Sequence, residues 1–418
     1  MAQRLLNKVG PWVDNEDFWN REREIERLTN LLDTGHNVLL VAPRRVGKTS
    51  LLRETLRRLD ERGEDYGLYV DLQKCHSPED VVVALSLATR VYEDIWQRTL
   101  QVFRHALGEL IDRIETVSAD TIELKFREGA ADAWAQRGDR VLSNLASMAR
   151  PAVICLDELP VMLSRLLRGE AGDISPEGIR KADAFLSWLR QACGDYQKNL
   201  RFVICGSIGL EPVVARAGLS HTVGHLRSFP LEPWDRETAD GCLAALAASY
   251  GLDLDAEVRQ RMLDHLKWCV PHHVQMFFGH LCDDCERRGV LTVDVDAVDR
   301  VYASDMLGPR GHAELHDYEE RLLRVLGPDM TPLALELLTE ASVVGVLTSK
   351  AISMLTDCTL ADRAERARTA DAVLDVLLHD GYLIRRPGAD GEFEFVSGLV
   401  RDWWERRFGR DYVRAEER

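Results

Sequence analysis

Two patterns of apolar positions alternate along the chain as far as about residue 235. Short, nearly continuous apolar runs rich in valine and isoleucine are typical of strands buried on both faces of a parallel sheet. Between them, apolar residues three or four positions apart predict amphipathic helices, as in "SLLRETLRRLDERG" and "PEGIRKADAFLSWLRQAC". The strand candidates are Val38 to Val41, "YGLYVDLQKC", "PAVICLDELPVML", "LRFVICGSIG" and the shorter "HLRSFPLEPW". This alternation predicts an α/β domain with right-handed crossovers.

Other segments of this region add detail to the prediction. "NREREIERLTNLLD" predicts a helix before the first strand, with Asn20 as its N-cap. A serine, a proline and a glutamate open the helix of "SPEDVVVALSLATRVYED". An alternating segment, "TIELKFREG", precedes a further helix that runs to Met148.

After Trp234 the pattern is helical throughout, which predicts a small helical subdomain. The polar stretch "LGPRGHAELHD" is the linker candidate. Near the end, "GYLIRR" and "EFEFVS", separated by "PGADG", predict a β-hairpin after helices, which indicates a winged-helix domain. We therefore expect an α/β core with its N-terminal helix at 1–235, a helical lid subdomain at 236–308 and an α+β winged helix at 309–418.

Composition narrows the class of protein. Of the 418 residues, 45% are hydrophobic and 29% are charged. The formal net charge is -16, so the electrostatic field of the whole protein does not favour binding to nucleic acid. We find no apolar signal segment and no run of the roughly 18 apolar residues that a membrane span needs, and we expect a cytoplasmic protein. Nine cysteines, several within apolar runs, are expected to be buried, reduced thiols.

The segment "VAPRRVGKTS" carries the chemistry of a phosphate-binding loop between a strand and a helix. Lysine would contact the β- and γ-phosphates and the threonine hydroxyl would bind Mg²⁺. Ala42 replaces the usual first glycine, but the following proline favours an extended conformation there, which alanine adopts readily. The predicted nucleotide-contacting residues are Pro43, Arg44, Arg45, Val46, Gly47, Lys48, Thr49 and Ser50.

Two acidic residues end the strand in "VICLDE". Asp157 would complete the Mg²⁺ site with Thr49, and Glu158 would orient or deprotonate the attacking water. The alternative is that both acids merely cap the following helix.

"PRRVGKTSLL", "CLDELPVML", "CGSIGLEPVV" and "FWNREREIERL" together resemble the archaeal-type ATPases of the MNS clade, within the STAND branch of AAA+ proteins. The resemblance implies that Ser207 senses the γ-phosphate and that Arg21 and Glu22 line the base pocket. It also implies that Pro271 lies near the adenine, although Cys269 stands where the family often has glycine. An arginine finger is expected at Arg227 or Arg216, and surface salt bridging is the alternative for each.

Three further features have two interpretations each. The pair Trp403 and Trp404 is expected to anchor a core, and "HLCDDC" to be helical rather than a metal site. Residues 384–418 contain eight basic and eight acidic residues, which weakens a DNA-binding interpretation of the winged helix. Arg385 and Arg386 could nevertheless form a small DNA-contacting face.

The function that we expect is ATP binding and slow, partner-stimulated hydrolysis, with ATP and Mg²⁺ as cofactors. ATP would bind between core and lid and act as a conformational switch that regulates a protein partner or self-association. The alternative is a DNA-binding or DNA-remodelling ATPase, similar to initiators and transposition helpers. A third possibility is a scaffold that binds nucleotide without turnover.

Overall fold

The computed structural model describes residues 5–10, 12–13, 15–108, 118–130, 133–169, 174–359 and 363–418. The chain separates into two compact units, which are described one after the other. The first contains the N-terminal residues as far as Asn20, the segment Ala42–Gly47 and the segment Leu231–Arg418. The second contains Arg21–Val41 and Lys48–Pro230.

A five-stranded parallel sheet forms the centre of the second unit, in the order β2-β3-β4-β1-β5. The strands are β1 (Val38–Val41), β2 (Tyr66–Asp71), β3 (Ala152–Asp157), β4 (Leu200–Cys205) and β5 (Arg227–Pro230). All six residues of β3 are buried, as expected of a strand that is covered on both faces. The predicted parallel α/β sheet is therefore confirmed.

Helices surround this sheet. They are α1 (Glu22–Asp33), α2 (Lys48–Arg62), α3 (Pro78–Ala88), α4 (Glu93–Val102), α5 (Arg104–Leu107), α6 (Ala119–Ala130), α7 (Trp134–Ala146), α8 (Leu159–Leu167), α9 (Pro176–Asp195) and α10 (Leu210–Arg216). The predicted Ser-Pro start is confirmed at α3, where the Ser77 side chain accepts a hydrogen bond from the Asp80 N–H. Ser175 caps α9 in the same way.

One local prediction for this region is wrong, and one segment with an alternating pattern is helical. Arg21, not Asn20, is the N-cap of α1, and it adopts a φ of 86° without a side-chain capping bond. The alternating segment "TIELKFREG" lies in α6. Ile122 and Phe126, four positions apart, are both buried, so the helical period places the apolar residues on one face.

The segment after residue 230 in the first unit starts with four helices. They are α11 (Arg236–Tyr250), α12 (Ala256–Leu266), α13 (Pro271–Arg288) and α14 (Val295–Val301). Aspartates cap three of them, because Asp235, Asp255 and Asp294 each accept a hydrogen bond from an N–H three residues further on. The helical subdomain expected after Trp234 is thus helical as predicted.

The prediction of a linker at "LGPRGHAELHD" is wrong. The helical segment α15 (Pro309–Val344) begins inside it and is broken only at Gly327, with φ 78° and ψ 177°. A proline in the first turn of a helix loses no hydrogen bond, so the glycine and proline of "LGPRG" start a helix here rather than a loop.

A small antiparallel sheet follows α15, in the order β6-β8-β7. Its elements and their helices are β6 (Leu347–Thr348), α16 (Ser349–Thr359), α17 (Arg363–His379), β7 (Leu383–Arg385), β8 (Glu392–Phe395) and α18 (Gly398–Phe408). The predicted hairpin is confirmed, since Leu383 pairs with Phe395. Trp403 and Trp404 are 1% and 0% exposed and belong to the core, as predicted.

Two general findings concern the whole described part of the chain. None of its helices has both the length and the apolar character that crossing a bilayer requires. Most cysteines are buried thiols as expected, but Cys358 is exposed and Cys282 is partly exposed.

Candidate nucleotide-binding site

The loop between β1 and α2 has a positive φ at two residues, its one glycine, Gly47, and Arg45. Gly47 adopts a φ of 92°, which only glycine adopts without strain. Positive φ among the non-glycine residues of the loop occurs at Arg45 (62°) and not at Ala42. The alanine that replaces the usual glycine is therefore unstrained, whereas Arg45 costs about 1 kcal/mol, and no sequence signal indicated this.

Helix α2 begins directly at Lys48, so its first N–H groups follow the loop. Lys48 is only 8% exposed and Ser50 is 7% exposed. A helix N-terminus carries unsatisfied N–H groups and partial positive charge, and a buried lysine beside it adds a full charge. This combination favours a polyphosphate.

The carboxylate of Asp157, at the end of β3, accepts four hydrogen bonds. Oδ2 accepts one from the Thr49 hydroxyl at 2.9 Å and one from the Tyr69 hydroxyl at 2.7 Å. Oδ1 accepts one from the Glu158 N–H at 3.0 Å and one from the Cys205 thiol at 2.9 Å. The predicted pair of Thr49 and Asp157 is thus in contact, while sequence reasoning missed Tyr69 and Cys205.

Both of these unpredicted donors keep their protons at neutral pH. Burial, reinforced by the nearby Asp157 charge, raises the pKa of Tyr69 far above its usual value. Burial and the same carboxylate raise the pKa of Cys205 well above 9.0. Neither group can therefore serve as a nucleophile or base here, and both donate.

Glu158 turns away from Asp157 because it adopts a left-handed conformation, with φ 63°. Its Oε2 accepts hydrogen bonds from the Ser207 N–H and the Ser207 hydroxyl, each at 2.9 Å. Gly206 permits this approach, because a Cβ at that position would lie 2.6 Å from Pro160 Cδ. Glu158 is the N-cap residue of α8 by position, but its side chain makes no capping bond to this helix and binds Ser207 instead.

Three residues of the loop contact other parts of the first unit. Arg44 forms an ion pair with Asp317, and its guanidinium lies 5.8 Å from the Tyr318 ring centroid. Arg45 Nη1 lies 2.9 Å from His272 Nε2. A Cβ at Gly381 would lie 2.8 Å from Pro43 Cβ, so these two residues are in close contact. The sequence contained no signal for Asp317, Tyr318 or Gly381.

The remaining predicted residues have the following positions. Val46 is buried, and Pro271 opens α13. Arg21, 6% exposed, donates to Glu24 at 2.7 Å. Arg216 ends α10 and is exposed.

Arg227 lies at the wrong edge of the sheet for a role beside Asp157 in its own chain. It pairs with Val38, the first residue of β1, whereas the phosphate loop follows Val41. At about 3.3 Å per residue, three residues of strand separate these levels by about 10 Å. Arg227 could therefore act as an arginine finger only on the nucleotide of a neighbouring subunit, and this role stays a prediction.

The available ligands fit Mg²⁺. The Thr49 hydroxyl and the Asp157 carboxylate supply adjacent oxygens, and Mg²⁺ typically takes one or two protein oxygens together with substrate phosphates. Among the residues that the structure describes, no cluster of three or more histidine, cysteine, aspartate or glutamate side chains could hold a metal by itself. A metal at Asp157 would thus depend on the nucleotide.

The loop, the helix that follows it and the acid on a neighbouring parallel strand define the class of protein as a P-loop nucleotide-binding protein. Residues 18–221 match the family model of an ATPase domain predominantly from Archaea. The matched residues contain Lys48, Asp157, Glu158 and Ser207.

Solved structures share the fold. The Walker-type ATPase paby2304 of Pyrococcus abyssi superimposes with a TM-score of 0.56 at 17% identity, over 96% of this chain and 99% of that one. The ORC2 protein of Aeropyrum pernix, in ADPNP-ADP complexes, gives a TM-score of 0.52 at 14% identity, over 94% and 98%. A comparison with curated proteins gave no match. At these identities the likeness concerns the fold.

Proposed function

We propose that this protein binds ATP with Mg²⁺, hydrolyses it slowly, and uses the nucleotide state as a conformational switch that regulates a partner. The family match of residues 18–221 and the geometry around Asp157 support ATP binding and hydrolysis. The observation that carries the switch is the ion pair between Arg44 of the phosphate loop and Asp317 of α15.

The proposed chemistry assigns one task to each residue. Lys48 and the N–H groups at the start of α2 bind the β- and γ-phosphates. Thr49 and Asp157 hold Mg²⁺, which neutralises charge on the phosphates when bound. Glu158 accepts a proton from the attacking water or orients it, and the Ser207 hydroxyl keeps the Glu158 carboxylate in place.

Arg44 connects this chemistry to α15. Its Nη2 pairs with Asp317, while Nη1 is buried and has no hydrogen-bond partner among the described residues. A buried guanidinium nitrogen without an acceptor is costly, and a phosphate oxygen would satisfy it. ATP would therefore compete with Asp317 for Arg44, and ADP, without the γ-phosphate, would compete less. This difference in affinity is what a switch requires.

Two measurements on the full chain test the proposal. The first is ATP turnover, which we expect to be slow and to disappear in Lys48→Ala. The second is amide hydrogen exchange over residues 315–322 with a non-hydrolysable ATP analogue and with ADP. We expect faster exchange with the analogue only. Equal exchange in the two nucleotide states would refute the switch even if turnover is normal.

The order of helices, hairpin and helix after Gly327 supports a winged-helix assignment for this part of the first unit, with DNA binding as the alternative function. Its charges argue against DNA, because Arg386 pairs with Glu392 at 3.0 Å and the Arg385 guanidinium lies 5.2 Å from the Phe393 ring centroid. ATP turnover measured with duplex DNA at low and moderate salt decides between the switch and the DNA-binding function. Stimulation that fades as salt rises would favour the DNA-binding function.

A further inference from the structure

The Asp157 side chain lies between donors from both strands adjacent to its own. Strand β3 runs between β2 and β4, and Tyr69 of β2 contacts Oδ2 while Cys205 of β4 contacts Oδ1. Tyr69 pairs in register with Cys155, two residues before Asp157. Together with the Thr49 hydroxyl and the Glu158 N–H, Tyr69 and Cys205 give each carboxylate oxygen two hydrogen-bond donors. The orientation of the carboxylate is therefore fixed from both sides.

Helix α2 links Tyr69 to the phosphate-loop threonine. Thr49 and Arg53, four positions apart, lie on the same face of the helix. Thr49 donates to Asp157 Oδ2, and the Arg53 guanidinium carbon lies 4.0 Å from the Tyr69 ring centroid. A cation over the ring face restrains the ring. Asp157 thus contacts both Tyr69 and Thr49, and Arg53, on the same helix as Thr49, contacts Tyr69.

We propose that Tyr69 is a positioning residue that holds the Asp157 carboxylate in the orientation needed for Mg²⁺ binding with Thr49. This inference rests on the proposed function, because Mg²⁺ would bind there with ATP. Tyr69 shares Oδ2 with Thr49, so loss of the tyrosine hydroxyl leaves the terminal torsion of Asp157, which is intrinsically soft, restrained at that oxygen by Thr49 alone. Loss of a hydrogen-bond partner of a metal ligand typically lowers metal affinity by about 10- to 100-fold.

The test compares Tyr69→Phe with Tyr66→Phe. Tyr66 also lies on β2, three residues away and on the opposite face of the sheet, and its hydroxyl donates to Asp94 at 3.1 Å. The two variants therefore lose the same atom from the same strand. Binding of a fluorescent ATP analogue is titrated with Mg²⁺ and repeated in EDTA, and thermal unfolding is followed without nucleotide.

In Tyr69→Phe we expect the Mg²⁺ concentration at half-saturation to rise about tenfold, while binding of the analogue in EDTA stays unchanged. Arg53→Met should raise the Mg²⁺ concentration at half-saturation by about two- to fivefold, because it removes one cation-π contact. Tyr66→Phe should leave the Mg²⁺ requirement as it is. An unchanged requirement in Tyr69→Phe would overturn the inference, as would an equal loss of binding with and without Mg²⁺, which indicates a merely structural role. Failure of the unmodified protein to bind the analogue at all would instead overturn the proposed function as well.

Discussion

Removal of the Asp317 charge is the most direct test of the connection between the phosphate loop and α15. In Asp317→Asn the side chain keeps its size but loses the charge that pairs with Arg44. The Asp317 carboxylate is ionised at neutral pH, because Arg44 and Arg324 outweigh the effect of burial and lower its pKa. If the ion pair holds the loop in a conformation that competes with ATP, its loss should strengthen ATP binding.

The exposure of the two side chains sets the magnitude. Arg44 and Asp317 are 18% and 27% exposed, between the surface and the interior. Exposed pairs contribute about 0 to 1 kcal/mol, and breaking a buried pair costs about 3 to 5 kcal/mol. We therefore assign about 1.4 kcal/mol to this pair, which corresponds to about a tenfold lower Kd for ATP.

Calorimetric titration of the full chain with a non-hydrolysable ATP analogue measures this change. Arg324→Gln is the matched control, because Arg324 binds the other oxygen of the same carboxylate at 2.8 Å but is 62% exposed. A surface pair of this kind should change the Kd by less than about threefold. If Asp317→Asn leaves the Kd unchanged, or weakens binding, the ion pair does not compete with ATP and the reasoning is refuted.

Three other substitutions probe chemistry and stability. Glu158→Gln should lower turnover by about 10² to 10⁴-fold with ATP still bound, and normal turnover would remove its assigned role. Asp380→Asn breaks the pair with Arg321, whose side chains are 3% and 4% exposed, and should cost about 3 kcal/mol in urea unfolding; a loss below 1 kcal/mol would contradict this. Asp299→Asn tests pH dependence, because a hydrogen bond from Arg261, opposed by burial and aided by His265, lowers the Asp299 pKa from 3.8 to about 2. The stabilisation by a carboxylate with a lowered pKa is complete above its ordinary pKa and is lost as pH falls through the folded value. The variant should therefore be less stable by under about 1 kcal/mol at pH 7 and at pH 5, and by less at pH 3; an equal difference at all three would refute the assignment.

Local sequence patterns were sufficient where one segment decides its own structure. The apolar runs predicted the five parallel strands, the Ser-Pro start predicted α3, and apolar periodicity predicted α9. Local patterns misled where one segment fits two structures. The residues of "TIELKFREG" alternate in polarity, but Ile122 and Phe126 are buried on one face of a helix. The glycine and proline of "LGPRG" are typical of a linker, but here they start α15.

The sequence by itself determined the phosphate loop, because Gly47, Lys48 and Thr49 act through their own backbone and the helix that follows them. It also determined that Asp157 ends a buried strand near that loop. Only the tertiary structure decided which side chains hold this acid, since the Tyr69 hydroxyl reaches it across 88 residues of chain. The same applies to Arg44 and Asp317, whose pairing depends on how distant segments pack. Hydrophobic periodicity specifies which face of an element is buried, but a hydrogen bond to a particular oxygen depends on register and approach, which single segments do not encode.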